Sequence, residues 1–214
     1  MMTGANIRSG LTLPLVSGLP LCLAGCSFLP EAEPVAVQLY TLDYDVTPRQ
    51  TDSSGPTIHV SRIRSGSALS SPRMLYRRGP HRVGYLVRSQ WVMPPGELLA
   101  PLVVEVLEVT GHFGAVVQPG ASGLADFRLD LELLDLWQDF TTEPAGVELK
   151  LRAQVLDMAR QRVLATRTFA YQASVARDET AAAVEEINNL IAVFLPELAQ
   201  FCVDSSHSGS NRSD

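Results

Sequence analysis

Phe127-Arg128-Leu129-Asp130-Leu131-Glu132-Leu133-Leu134-Asp135-Leu136-Trp137-Gln138-Asp139-Phe140 alternates apolar and polar residues through most of its length. Period-two alternation puts the leucines on one face of a strand. Phe127, Leu129, Leu131 and Leu133 keep one parity; Leu134, Leu136, Gln138 and Phe140 take the other. The Leu133-Leu134 doublet therefore predicts a bulge or strong bend. Val147, Leu149, Leu151, Ala153 and Val155 alternate in the next strand, and Val163 to Val175 returns as its hairpin partner. After this meander the period changes. Val184, Ile187, Ile191, Phe194 and Leu198 recur at helical spacing, predicting a helix from about Glu179 to Cys202. Asp178 is its expected N-cap, and Pro196 should bend or end it early.

The N-terminal half carries shorter elements. Gln38 to Tyr44 and Ile58 to Ile63 read as two strands. Met74 to Arg78 and Arg82 to Arg88 read as a hairpin around Gly79-Pro80. Glu97 to Thr110 has one broad apolar face and reads as a helix, with Gly111 as its C-cap and Pro101 as a kink or a later start. Phe113 to Val117 is a further short strand. The pattern implies an α+β domain, a largely antiparallel sheet packed against two main helices.

The ends bound where the chain works. An apolar run from Leu11 closes at Leu23-Ala24-Gly25-Cys26. It is interrupted by Pro14 and Pro20 and is shorter than the roughly 20 residues a membrane span needs. A signal segment closed by small residues fits better. Leu-Ala-Gly-Cys resembles the bacterial lipobox, which implies that Cys26 becomes an acylated first residue. The expected organisation is a signal over 1–25, a lipid-proximal tether over 26–36, the domain over 37–203 and a disordered polar tail over 204–214. Ser27, in place of an aspartate, leans toward the outer membrane. With Cys22 removed and Cys26 acylated, Cys202 has no partner for a disulfide.

The formal net charge of −6 argues against nucleic acid as a partner. Its distribution is uneven. From Ser53 to Gly96 there is no acid but seven arginines, whereas Glu97 to Asp157 holds eleven acids against Arg128, Lys150 and Arg152.

Arg73-Met74-Leu75-Tyr76-Arg77, Tyr85-Leu86-Val87-Arg88-Ser89-Gln90-Trp91-Val92-Met93-Pro94-Pro95, Leu98-Leu99-Ala100-Pro101-Leu102 and Gly111-His112-Phe113 stand in an order more specific than composition. Together with Tyr40-Thr41-Leu42 and the lipobox, they resemble the ABC-type transport auxiliary lipoprotein family. That family includes the lipoprotein of Pqi/MCE-type lipid transport systems. The resemblance spans residues 38–202. It implies a fold similar to the N-terminal domain of TolB-like proteins and a periplasm-facing lipoprotein of the bacterial cell envelope. The implied partners are an MCE-domain protein, an ABC permease and an ATPase, with lipids or other hydrophobic compounds as cargo. A homo-oligomer is also compatible with it.

No catalytic or metal-binding motif emerges. His59, His81, His112 and His207 sit in different segments, and no phosphate loop, Cys-x-x-Cys or His-Glu-x-x-His is present. The chain is expected not to be an enzyme and to need no cofactor beyond the N-terminal diacylglycerol and acyl groups. Candidate partner-binding residues are Arg73, Tyr76, Arg77, Arg78, Tyr85, Arg88 and Trp91, all on the hairpin or just after it. Two other readings stand beside docking: a lipid carrier with its own apolar cavity, and a structural envelope lipoprotein unrelated to transport.

Overall fold

The computed structural model describes residues 36–45, 54–121, 123–177 and 179–210. The signal, most of the tether with Cys26, and the Asp178 cap lie outside the described residues. Among the described residues, nine strands and two α-helices follow in the order β1 (Gln38–Tyr40), β2 (Thr57–Val60), β3 (Arg64–Ser65), β4 (Arg73–Arg77), β5 (Val83–Trp91), α1 (Pro95–Val109), β6 (Ala115–Val117), β7 (Phe127–Asp139), β8 (Gly146–Asp157), β9 (Arg162–Ser174) and α2 (Thr180–Ser210). The α+β expectation holds, and the antiparallel expectation holds in part: β7–β8, β8–β9 and β4–β5 are antiparallel, whereas the short strands add parallel pairings that make the sheet mixed.

β7 is the spine. Along one edge it pairs with β8 over its whole length, antiparallel, and β8 pairs with β9 in the same sense. Along its other edge three short strands follow one another, all parallel to it: β2 at Phe127, β3 at Glu132 and β4 at Trp137. β4 then carries β5 antiparallel, β5 carries β1 parallel, and β2 carries β6 parallel. Parallel pairing needs a connection that crosses back over the sheet. The β3–β5 segment and α1 supply it between β2 and β7.

The leucine doublet has the expected result. The β7–β8 register shifts between Leu133 and Asp135, leaving Leu134 as the extra residue. This returns Leu136 to the face of Leu129, Leu131 and Leu133, and all four are buried. That face of β7–β9 meets α2, where Ile191, Phe194, Leu195 and Leu198 are fully buried. Phe169 on β9 meets Phe194 edge-on with ring centroids 5.3 Å apart.

Both internal prolines leave their helices unbroken. Pro101 and Pro196 lie on exposed faces, so the Glu97 and Ala192 carbonyls that lose a partner can turn to water. α1 stops at Gly111, whose φ of +66° is a conformation glycine adopts without strain. The far end of α2 corrects the sequence reading, since residues 204–210 are helical. Ser205 Oγ donates to the Phe201 carbonyl at 2.6 Å and Ser206 Oγ to the Val203 carbonyl at 2.7 Å. Both serines are buried, so the polar end of α2 docks rather than frays.

Candidate functional site

The β4–β5 hairpin divides its arginines between two sides of the sheet. Leu75 pairs with Trp137, and Tyr76 with Gln138. Gln138 shares the helix-facing side with Leu136, so Tyr76 lies there, and Leu75 and Arg77 point the other way. The Tyr76 ring crosses Gly84, where a Cβ would come within 2.7 Å of the ring. It meets Phe140 edge-on at 6.0 Å, and the Arg78 guanidinium stands 5.2 Å from the Phe140 ring. Arg82 Nε donates to the Arg78 carbonyl at 3.2 Å. Arg78 and Arg82 are both exposed, so the turn presents two cations to solvent.

Arg77 has a different role. It forms ion pairs with Asp139 and, at 3.3 Å, with Glu148, and it lies 5.1 Å from the Trp137 ring. Trp137 Nε1 donates to the same Glu148 carboxylate at 3.2 Å. The Arg77 hydrogen bond holds the Asp139 carboxyl down to about 2, helped by Thr141, whose N–H and hydroxyl both donate to it. Burial and the nearby Glu148 push Asp135 upward. Arg77 is therefore a structural ion-pair partner, not a free contact.

This network makes acid stability testable. Asp139 is depressed in the folded state, so its contribution is complete above the ordinary value of 3.8 and is lost as pH falls through about 2. Arg77→Ala should cost about 3 kcal/mol near neutral pH, because it leaves partly buried carboxylates unpaired. It should also flatten the loss of stability between about pH 4 and about pH 2. Urea unfolding of both chains across that range checks this, and equal midpoints at neutral pH would refute it.

Trp91 corrects the list of candidate contacts. It is 2% exposed, and its backbone N–H donates to the Pro72 carbonyl at 2.8 Å. It is a core residue at the end of β5 and cannot reach a partner. Arg73 is exposed and stacks 3.7 Å over the Tyr85 ring, while Tyr85 is half-buried and its hydroxyl donates to the Ala68 carbonyl at 3.4 Å. Arg88 is exposed.

Two features escaped the sequence reading. An open groove of about 720 Å3 runs beside α1, with Ile63, Ala100 and Val104 among its lining and Glu97, Glu105 and Glu108 at its carboxylate positions. Its lining comes from three separated segments, which no local pattern could join. The second is a histidine pair. His112 Nε2 lies 2.8 Å from Ser206 Oγ, and the His112 and His207 rings are 4.6 Å apart. Burial, then His207, lowers the affinity of His112 for a proton. The Ser206 hydroxyl also lies 2.7 Å from the Val203 carbonyl, to which it donates. Burial pushes the Cys202 thiol far up, which keeps it protonated. Among the described residues, no group of three or more His, Cys, Asp or Glu could hold a metal, and no helix is long and apolar enough to cross a membrane.

The sequence model of the ABC-type transport auxiliary lipoprotein component matches residues 40–199, from β1 to the second half of α2. The chain belongs to that family. A crystal structure of a Xanthomonas campestris protein of the DUF330 family superposes with a TM-score of 0.72, at 22% identity, covering 81% of this chain and 99% of that one. A second structure, of an uncharacterised protein, gives a TM-score of 0.62 at 13% identity over 77% of this chain and 97% of that one. Both likenesses concern the fold. Among curated proteins, no sequence matches this chain. Family membership places the protein among lipoproteins of the bacterial cell envelope that serve ABC-type transport.

Proposed function

We propose that this auxiliary lipoprotein is a non-enzymatic docking component held at a membrane by lipid on Cys26. It faces the periplasm, on the outer membrane in preference to the inner. There it engages an MCE-domain protein of a system that also contains an ABC permease and an ATPase. The cargo class is lipids or other hydrophobic compounds, and the chain itself needs no cofactor beyond its acyl groups. Family membership carries this reading. The exposed Arg78 and Arg82 support it, since a paired cationic turn suits an acidic partner surface. The groove beside α1 supports docking over carriage, because it is open and carries three glutamates where acyl chains would need apolar walls.

Affinity capture from membranes tests it. The parent chain should retain an MCE-domain protein. The double substitution Arg78→Ala, Arg82→Ala should reduce capture about tenfold at low salt and blunt its salt dependence. Capture of no MCE-domain protein by the parent would defeat the proposal.

A further inference from the structure

We infer that the face of β1, β5 and β4 turned away from the helices is a second membrane contact, seated on anionic phospholipid headgroups. The register builds this face. Leu39 lies opposite Gln90, and Gln90 opposite Arg73, so the three project to one side. Ser89 and Trp91 project to the other side and are buried. Apolar exposure concentrates here, with Val37, Leu39, Val92 and Met93 between 41% and 63% exposed.

A large irregularity in β5 adds to it. Between the pairs Leu75–Tyr85 and Arg73–Gln90, β4 contributes only Met74 while β5 contributes Leu86 to Ser89. The excess pushes Val87 out to 81% exposure with Arg88 beside it. No carboxylate occurs between Ser53 and Gly96, so β4, β5 and their turn carry none. Among the described residues the acid closest to β1 in sequence is Asp43, and there the chain has turned toward the helices, since the Asp43 N–H donates to Asn188 Oδ1 on α2. Apolar side chains set among arginines without acids are the chemistry of an anionic lipid interface.

Position argues for the same occupant. Ten residues lie between Cys26 and Val37, a reach of at most about 40 Å. β1 is thus the described strand nearest in sequence to the proposed acyl anchor. Two copies paired through this face about a twofold axis would set arginines against arginines, which disfavours that arrangement. The inference rests on the lipid-anchored reading, and its role is orientation: the acyl chains hold the protein, and this face fixes which side looks away from the bilayer.

Two experiments decide it. Cys202 is buried, and Cys26 is acylated in the mature chain, so one introduced cysteine can be labelled selectively. Leu39→Cys, Val87→Cys and Leu124→Cys would each carry an environment-sensitive fluorophore in the acylated protein. Vesicles of phosphatidylethanolamine and phosphatidylglycerol would contain nitroxide-labelled lipid. Leu124 is 99% exposed after β6, at the opposite end of the strand path from β1. Quenching at positions 39 and 87 should exceed that at 124 by about threefold or more. Equal quenching overturns the inference, as does a difference that vanishes when the protein is diluted in the bilayer, which would mark the face as protein-binding.

The second arm needs no lipid on the protein. The mature chain with Cys26→Ser should float weakly with phosphatidylglycerol-containing vesicles and not with phosphatidylcholine. Arg73→Ala and Arg88→Ala should each lower that binding about fivefold. Indifference to phosphatidylglycerol overturns the membrane face. A parent chain found unacylated by intact mass would instead overturn the anchored reading, and this arm would still decide the face.

Discussion

Phe194→Ala should lower the free energy of unfolding by about 3–5 kcal/mol. Phe194 is fully buried on α2 and is the hub of an aromatic group. Phe169 meets it at 5.3 Å and Tyr171 at 6.4 Å, both close to edge-on, and Phe169 also meets Phe201 at 6.0 Å. Removing the ring takes away its own burial and leaves a cavity against β9. The loss concerns α2 docking as a whole, because Ile191, Leu195 and Leu198 occupy the same fully buried face. Chemical denaturation of parent and variant measures it. A shift below about 1 kcal/mol would mean that α2 contributes little to the fold, contrary to its burial.

Cys26→Ser should move the protein from the membrane to the soluble fraction. Each acyl methylene contributes about 0.8 kcal/mol to membrane binding, so losing the chains removes orders of magnitude in partitioning. The face built by Leu39, Val87, Arg73 and Arg88 leaves only weak, salt-sensitive binding to anionic lipid. Fractionation of cells expressing each form, with intact-mass measurement of the N-terminus, checks this. A serine variant processed and retained like its parent would defeat the anchored reading and the transport role built on it.

Much of the fold was legible because its largest parts are encoded by neighbours in sequence. The alternation from Phe127 to Phe140 specified β7 and which side of it is core. The doublet at Leu133-Leu134 specified its bulge, because two adjacent leucines cannot both face the core on one regular strand. Gly111 specified the end of α1. Pro196 misled, since sequence alone does not say that it lies on the solvent side of α2. The serines after Val203 misled as well. They read as a tail, yet the Ser205 and Ser206 hydroxyls bond to the helix and both serines are buried, Ser206 beside His112.

The hairpin shows where local reading ends. Seven arginines without an acid announced a cationic region, but not which of them were free. Arg77 looked like Arg78, its neighbour in sequence, until parallel pairing brought Asp139 from 62 residues away. Trp91 stood among the candidate contacts, yet β1 and the Pro72 carbonyl close around it.

Thus the amino-acid order by itself determined the meander, the two amphipathic helices, the segregation of charge and the lipobox, all of which rest on spacing within a few residues. Only the tertiary structure decided that β2, β3 and β4 line up in parallel along one edge of β7. It also decided which arginines are neutralised, that His112 meets Ser206 and His207, and that the apolar edge of β1 lies among arginines. The physical reason is that a strand two to five residues long is compatible with many registers, and its partner is selected by burial and charge pairing across the whole sheet.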